Sequence, residues 1–184
     1  MQGIIFNALE EFVLENADMA TWNAVIDKSQ VASKGVYTSG VNYDDSEIVS
    51  LATQLCSELS IPLEDGLKLF GEFLFSFLMN NGPIELGQYD NAQTLLENLD
   101  SVVHRDVKRL HPDAYTPFFS YEPVDKETGK LTYFSRRKLC MVAEGLLKGA
   151  AKHYGQSVSL NHSKCMHQGA DKCCWDIKFE QLNP

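Results

Sequence analysis

Apolar residues recur at three- and four-residue intervals over most of the first 110 positions, which predicts a series of amphipathic helices. The predicted helices cover 2–16, a short stretch around Trp22, 44–59 behind an acidic cap at Asp44 and Asp45, 61–80 behind Pro62, and 95–110. Apolar residues cover most of the circumference of helix 61–80, so we expect it to be buried on more than one side. Residues 28–43 are rich in Ser, Gly, Tyr and Asn and predict a loop.

The pattern changes after Pro117. Segments 118–121 and 131–135 flank a turn-rich stretch at 123–129, which predicts a β-hairpin. A helix with many small residues is predicted over 139–154, followed by strands at 158–160 and 174–179. Helices come first and strands then surround one helix, so the predicted fold class is α+β with a four-stranded antiparallel sheet.

Composition narrows the possible classes of protein. The 184 residues fit a single domain, and the net charge of -9 without a basic stripe argues against nucleic-acid binding through phosphates. The longest apolar stretch, 67–79, is too short and too polar to span a membrane, and the N-terminus lacks the cationic region of a signal peptide. We therefore expect a cytoplasmic location, in which the five cysteines are reduced and a cysteine cluster binds metal.

The helix at 95–110 carries two histidines of interest. Its apolar stripe consists of Leu96, Leu99, Val103, Val107 and Leu110. His104 lies at the boundary between this stripe and the polar face, where a ring nitrogen could turn into a pocket and bind a metal. His104 could also simply be a half-buried surface residue, and His111 flanks the stripe just as well. Periodicity alone favours the surface interpretation.

Two further groups of residues suggest chemistry. In a strand, Tyr133, Ser135 and Arg137 would point to one face and could bind an anionic group, although an ordinary edge strand explains this weak motif as well. Cys140, His162, Cys165 and Cys173 have ligand types that form closed tetrahedral zinc sites of the structural kind. Their spacing alone leaves open whether they bind zinc or are four unrelated core and surface residues.

The joint pattern is more specific than its parts. His104, Pro117 thirteen residues later, the Tyr133–Ser135–Arg137 motif and the N-terminal MQGIIFNAL together resemble the haem–nitric oxide/oxygen binding (H-NOX) domains over essentially the whole chain. The resemblance implies haem b between a distal helical lobe (1–60) and a proximal lobe (61–184). It implies His104 as iron ligand, Tyr133, Ser135 and Arg137 at the propionates, Pro117 pressing on the porphyrin and Ile5 on the distal side. We expect the other pocket walls to be Ile4, Leu9, Leu74, Leu78 and Val142.

The resemblance also implies a function, namely a sensor of nitric oxide at ferrous haem. Relatives that hold oxygen stably carry a tyrosine seven residues after the motif serine, where this chain has Val142, so stable oxygen binding is not expected. Some similar bacterial proteins carry zinc at the positions of Cys140, His162, Cys165 and Cys173. Because the chain ends soon after the last predicted strand, we expect regulation in trans, with a histidine kinase or a diguanylate cyclase as the partner.

Two functions other than a nitric oxide sensor are compatible with these residues. No carboxylate pair, Ser-His-Asp order or phosphate loop is present, so an enzyme is not expected. The alternatives are a cofactor-free interaction domain with structural zinc, and a haem oxygen carrier or redox enzyme. The absence of a distal tyrosine and of a distal acid–base pair argues against the latter.

Overall fold

The first half of the chain is helical. The computed structural model describes residues 1–82 and 88–182, and its first four helices are α1 (Gly3–Asn16), α2 (Met19–Ser29), α3 (Asp45–Glu58) and α4 (Leu63–Asn81). Asp18 and Asp44 cap α2 and α3 by accepting hydrogen bonds from the backbone N–H groups of Thr21 and Ser46. These bounds agree with the predicted helices. The predicted stop signal after α4 includes Pro83, which lies outside the described residues.

The second half contains the sheet. Its elements are α5 (Ala92–Asn98), a π-helix (Leu99–His104), α6 (Arg105–Leu110), β1 (Phe118–Pro123), β2 (Thr128–Phe134), α7 (Cys140–His153), β3 (Gln156–Lys164), a 3-10 turn (Met166–Gln168) and β4 (Cys173–Gln181). The strands pair antiparallel in the order β1-β2-β4-β3. The α+β prediction with a four-stranded antiparallel sheet is confirmed. Strands β3 and β4 are longer than predicted, because they pair from Gln156 opposite Gln181 to Lys164 opposite Cys174.

The segment 95–110 is not one continuous α-helix as predicted. A π-helix separates α5 from α6, and His104 is its last residue. The i→i+5 hydrogen bonds of a π-helix rotate the following residues relative to an α-helical projection. As a result the predicted stripe is not buried along its whole length, since Val103 is buried whereas Leu110 is 56% exposed.

Two apolar cores lie on either side of α4 and α7. Helices α1 to α3 form the N-terminal core, to which α4 adds Phe70, Leu74 and Phe77 and α7 adds Val142. The inner face of the sheet, α5 and most of α7 form the C-terminal core. The prediction that α4 is buried on more than one side is confirmed, because Phe75 lies in the C-terminal core. Leu69 is nevertheless 53% exposed. The lobe boundary at residue 60 stays a prediction. Within the described ranges, no helix has the length and apolar character needed to cross a bilayer.

Glycines allow α4 and α7 to touch through their backbones. A Cβ atom on Gly71 would lie 2.3 Å from the carbonyl oxygen of Val142, and one on Gly145 would lie 2.1 Å from that of Lys68. Both distances are far below van der Waals contact, so neither position can hold a side chain without movement of a helix. This close packing brings Val142 into the N-terminal core.

We predict that Gly145→Ala destabilises the protein by about 1–3 kcal/mol, because the forced separation of α4 and α7 outweighs the better helix propensity of alanine. The free energy of unfolding in urea measures this. Gly40→Ala is the matched control, since its Cβ would be 3.6 Å from the nearest atom, and it should change stability by less than about 0.5 kcal/mol. Equal stability of the two variants would contradict the close packing.

Candidate functional site

His104 is half-buried next to the C-terminal core. Its side chain is 13% exposed, its ring centre lies 5.9 Å from that of Phe119, and its Nδ1 lies 3.3 Å from Oδ1 of Asp100. Burial lowers the pKa of His104, which the Asp100 carboxylate partly opposes, so the neutral imidazole is favoured near pH 7. Because Asp100 occupies Nδ1, Nε2 is the ring nitrogen left for a metal.

His111 lies in a different environment. It follows α6, and a Cβ on Gly40, in the loop between α2 and α3, would be 3.6 Å from its Cε1. Nearby, Asn42 donates a hydrogen bond of 3.3 Å to the carbonyl oxygen of Asp113. The segment after α6 therefore contacts the N-terminal half of the chain. Helix α6 lies between the two histidines, and they have different surroundings although the sequence pattern treated them as equivalent.

The Tyr133–Ser135–Arg137 motif is brought together by a turn, and the predicted single strand face is wrong. Strand β2 ends at Phe134, and the turn that follows leads to Lys138, whose φ is 52°. Ser135 is 2% exposed and its Oγ accepts a hydrogen bond of 3.2 Å from the N–H of Arg137. The hydroxyl of Tyr133 accepts one of 3.1 Å from the N–H of Leu139. Burial raises the pKa of Tyr133 to about 12, so this hydroxyl stays neutral.

Arg137 already binds a carboxylate. Its Nε lies 2.8 Å from Oδ2 of Asp45, at the start of α3, and its side chain is 12% exposed. Burial of Asp45 opposes ionisation, but hydrogen bonds from the N-terminal amine and Arg137 outweigh it and lower the pKa of Asp45. Asp44 and Asp45 were both predicted as the cap of α3; Asp44 is the cap, whereas Asp45 is an ion-pair partner that the sequence did not identify. The pairing shows that this guanidinium is accessible to a carboxylate group.

Tyr115 contacts both Arg137 of the motif and its neighbour Arg136. Its carbonyl oxygen accepts a hydrogen bond of 2.8 Å from Nη1 of Arg137, and its hydroxyl accepts one of 3.0 Å from the N–H of Arg136. The guanidinium carbons of Arg136 and Arg137 lie 4.3 and 4.7 Å from the centre of its ring. These are cation–π distances. Tyr115 lies between α6 and β1, so the motif is tied to the segment that follows His104.

Most of the predicted pocket walls share one core. Leu9, Leu74 and Val142 are buried in the N-terminal core, and Ile4, Ile5 and Leu78 are partly buried against it. Pro117 is half-buried between α6 and β1, two residues before the Phe119 ring that neighbours His104. The apolar candidates and the histidine candidate therefore belong to different cores.

Three of the four predicted zinc ligands lie together. The Sγ atoms of Cys140, Cys165 and Cys173 are buried and all lie within 4.8 Å of one another. Burial raises the pKa of the Cys140 and Cys173 thiols, an effect that a bound cation reverses. His162 is outside this group. Its Nδ1 lies 2.9 Å from Oε1 of Glu144, and its Nε2 is buried without a hydrogen-bond partner.

Comparison with known proteins identifies the class. The model of the haem-NO-binding family matches residues 2–162, so the chain belongs to this family, the H-NOX domains, and is a haem gas-sensor domain. It is 34% identical to an H-NOX protein from S. oneidensis solved in the Fe(II)NO ligation state, covering 98% of this chain and 100% of that one with a TM-score of 0.92. An H-NOX from Shewanella woodyi is 27% identical, with 100% and 95% of the chains covered and a TM-score of 0.82.

A curated relative places the same domain in a longer protein. The soluble guanylate cyclase gcy-32 of Caenorhabditis elegans is 27% identical over 157 residues, which is 83% of this chain. The chain spans only 23% of the length of that relative.

The residues of this chain fit the haem that the family binds. Haem requires an axial ligand, apolar walls and a cation for its propionates. A neutral imidazole with a free Nε2, a set of apolar side chains on the N-terminal core and the carboxylate-binding Arg137 supply these groups. The three clustered thiols of Cys140, Cys165 and Cys173 fit a second, softer metal.

We predict that Tyr115→Leu raises the haem dissociation rate about 5- to 10-fold, because Arg137 loses the ring that holds its guanidinium. Transfer of haem to excess apomyoglobin measures this rate. Tyr115→Phe keeps the ring and loses only the hydroxyl contact with Arg136, so its rate should rise by at most about threefold. If the leucine variant released haem at the wild-type rate, Tyr115 would have no role in holding Arg137.

Proposed function

We propose that this chain senses nitric oxide at ferrous haem b and regulates a separate signalling protein, a histidine kinase or a diguanylate cyclase. The observation that carries this proposal is the position of His104, at the end of a π-helix with Nδ1 next to Asp100 and Nε2 free. The H-NOX protein of S. oneidensis, similar over its whole length, was solved in the Fe(II)NO state. We also propose that the chain itself catalyses no reaction.

His104 would bind the iron, and Tyr133, Ser135 and Arg137 would hold the propionates. Haem bound there would supply an iron centre that can bind a diatomic gas, with His104 as its protein ligand. Asp100 would orient the imidazole through Nδ1, as carboxylates do for metal-bound histidines. The side chains of Ile4, Ile5, Leu9, Leu74, Leu78 and Val142 would exclude water from the gas-binding side, and Pro117 would press on the porphyrin.

Contacts within the chain connect the segment that carries His104 to the Gly40 loop and to Arg137. His104 would tie the segment from α5 to α6 to the haem, and the residues that follow this segment contact the Gly40 loop and hold Arg137 through Tyr115. A displacement of this segment therefore acts on the contact with the N-terminal half and on the Arg137–Asp45 ion pair. Both are discrete contacts that can exchange between two arrangements, as switching domains require.

The apolar character of the N-terminal core supports nitric oxide rather than stable oxygen binding. Bound oxygen is held by a hydrogen-bond donor, whereas Val142 offers none. Tyr37 is a buried hydroxyl-bearing residue of the same core, but its hydroxyl donates to Glu47 over 2.9 Å. This hydroxyl is therefore already paired. These observations support the proposal and also disfavour an oxygen carrier or a peroxidase.

The proposal includes structural zinc bound by Cys140, Cys165, Cys173 and His162. Three buried sulphur atoms and one imidazole match a closed tetrahedral site. The unpaired, buried Nε2 of His162 supports its inclusion, because a metal would remove an unsatisfied polar atom.

Absorption spectra of the purified ferrous protein test the gas selectivity. We expect a strong haem Soret band that shifts when nitric oxide is added and does not convert to a persistent oxygenated spectrum in air. A stable oxygen complex would contradict the selectivity. A protein that stays colourless after haem supplementation would support the alternative of a cofactor-free zinc domain.

Regulation in trans has a separate test. The protein with and without nitric oxide is added to a purified candidate kinase or cyclase, and the activity of that enzyme is measured. A response to nitric oxide supports a separate partner. If no candidate responds while nitric oxide binds normally, the partner part of the proposal fails and the gas-binding part stands.

A further inference from the structure

Glu144 is a buried carboxylate that joins four elements. It lies on α7 and is 7% exposed. Its Oε1 accepts a hydrogen bond of 2.8 Å from Nε1 of Trp175 on β4 and lies 2.9 Å from Nδ1 of His162 on β3. Its Oε2 lies 3.3 Å from Nζ of Lys68 on α4. A buried carboxylate is destabilising unless it is paired and hydrogen-bonded, and here both of its oxygens are engaged.

The contact with Glu144 fixes the orientation of His162. The imidazole is stacked on Trp175 with ring centres 4.4 Å apart and an interplanar angle of 29°. A carboxylate oxygen at Nδ1 requires a proton on that nitrogen, so in the neutral ring the lone pair is on Nε2. That Nε2 is buried and has no hydrogen-bond partner. A metal-binding histidine has this arrangement before the metal is bound: the proton is on Nδ1, and the lone pair of Nε2 has no partner.

The elements that carry this imidazole and its partners also carry the three cysteines, although His162 lies outside the cluster in which all Sγ atoms are within 4.8 Å. Glu144 follows Cys140 by four residues, so the two share one face of α7. Trp175 and Cys173 are two residues apart on β4 and are both buried on its inner face. Cys165 directly follows β3, three residues after His162. The Glu144–His162–Trp175 group and the cysteine cluster are therefore neighbours on the same two elements, α7 and β4.

We infer that Glu144 is a positioning residue for the metal site: it presents Nε2 of His162 as the fourth ligand beside Cys140, Cys165 and Cys173, and Lys68 balances its charge. This inference rests on the zinc part of the proposed function. It adds a residue that does not touch the metal and a connection from the metal site to α4. The same helix contributes Leu74 and Phe77 to the N-terminal core.

Metal affinity, measured by competition for Zn²⁺ with a chromophoric chelator, tests the inference on the haem-loaded protein. Glu144→Gln should lower the affinity for Zn²⁺ about 10- to 100-fold, the usual effect of removing such a partner. Glu64→Gln is the matched control, because Glu64 also pairs with Lys68, at 2.7 Å, without contacting His162. It should change the affinity by less than about threefold, and the haem spectrum should be the same in both variants.

A second variant pair separates positioning from a general structural role. If Glu144 acts through His162, then Glu144→Gln should have no further effect on Zn²⁺ affinity in a His162→Ala background. An equal loss in both backgrounds, or wild-type affinity in the single variant, would overturn the inference. Should Glu144→Gln not fold, the double variant with Lys68→Met, which also removes the half-buried cation that had paired with Glu144, carries the same test.

The same measurements distinguish a failure of this inference from a failure of the proposed zinc site. If the wild-type protein binds no Zn²⁺, the zinc part of the proposed function is wrong, and the role of Glu144 is overturned with it. If the wild-type protein binds Zn²⁺ with an affinity that depends on Cys140 and not on Glu144, only the inference is overturned.

Discussion

The backbone contact between α4 and α7 is the constraint on which the rest of the structure depends. It exists because Gly71 and Gly145 have no side chains to separate the helices. With α7 held there, three nearby side chains of its first half point in different directions. Cys140 joins the cysteine cluster, Val142 enters the N-terminal core, and Glu144 reaches His162. One short helical segment thus contributes to the cysteine cluster, to the N-terminal core and to the contact with His162.

The boundary between the cores is also where charged groups meet. Arg137 pairs with Asp45 from α3, and Lys68 of α4 pairs with Glu144 from α7. Such half-buried ion pairs add little to stability, but they favour one arrangement of the elements over others. A ligand that competes for Arg137, as a propionate would, changes this pairing. A propionate bound at Arg137 would in this way affect the contact of Arg137 with α3.

Much of the fold follows from sequence patterns that act locally. Helical periodicity, with the acidic cap at Asp44 and with Pro62, predicted α1 to α4, and the turn-rich stretch at 123–129 predicted the hairpin. The π-helix was not predictable, because periodicity assumes a constant number of residues per turn. The motif residues Ser135 and Arg137 were placed on a strand, since nothing in the sequence marks the end of β2 at Phe134. Asp45, Tyr115 and Glu144 were missed because their partners are distant in sequence, and only the tertiary structure brings them together.

The central claim is that His104, and not His111, is the axial ligand. Replacement of each histidine by glycine, followed by haem titration with and without added imidazole, tests it most directly. We predict that His104→Gly loses its wild-type ferrous spectrum and that imidazole restores it, because the small ligand fills the space of the side chain. His111→Gly should be indistinguishable from the wild type. A His104→Gly protein that binds haem normally without imidazole would contradict the account.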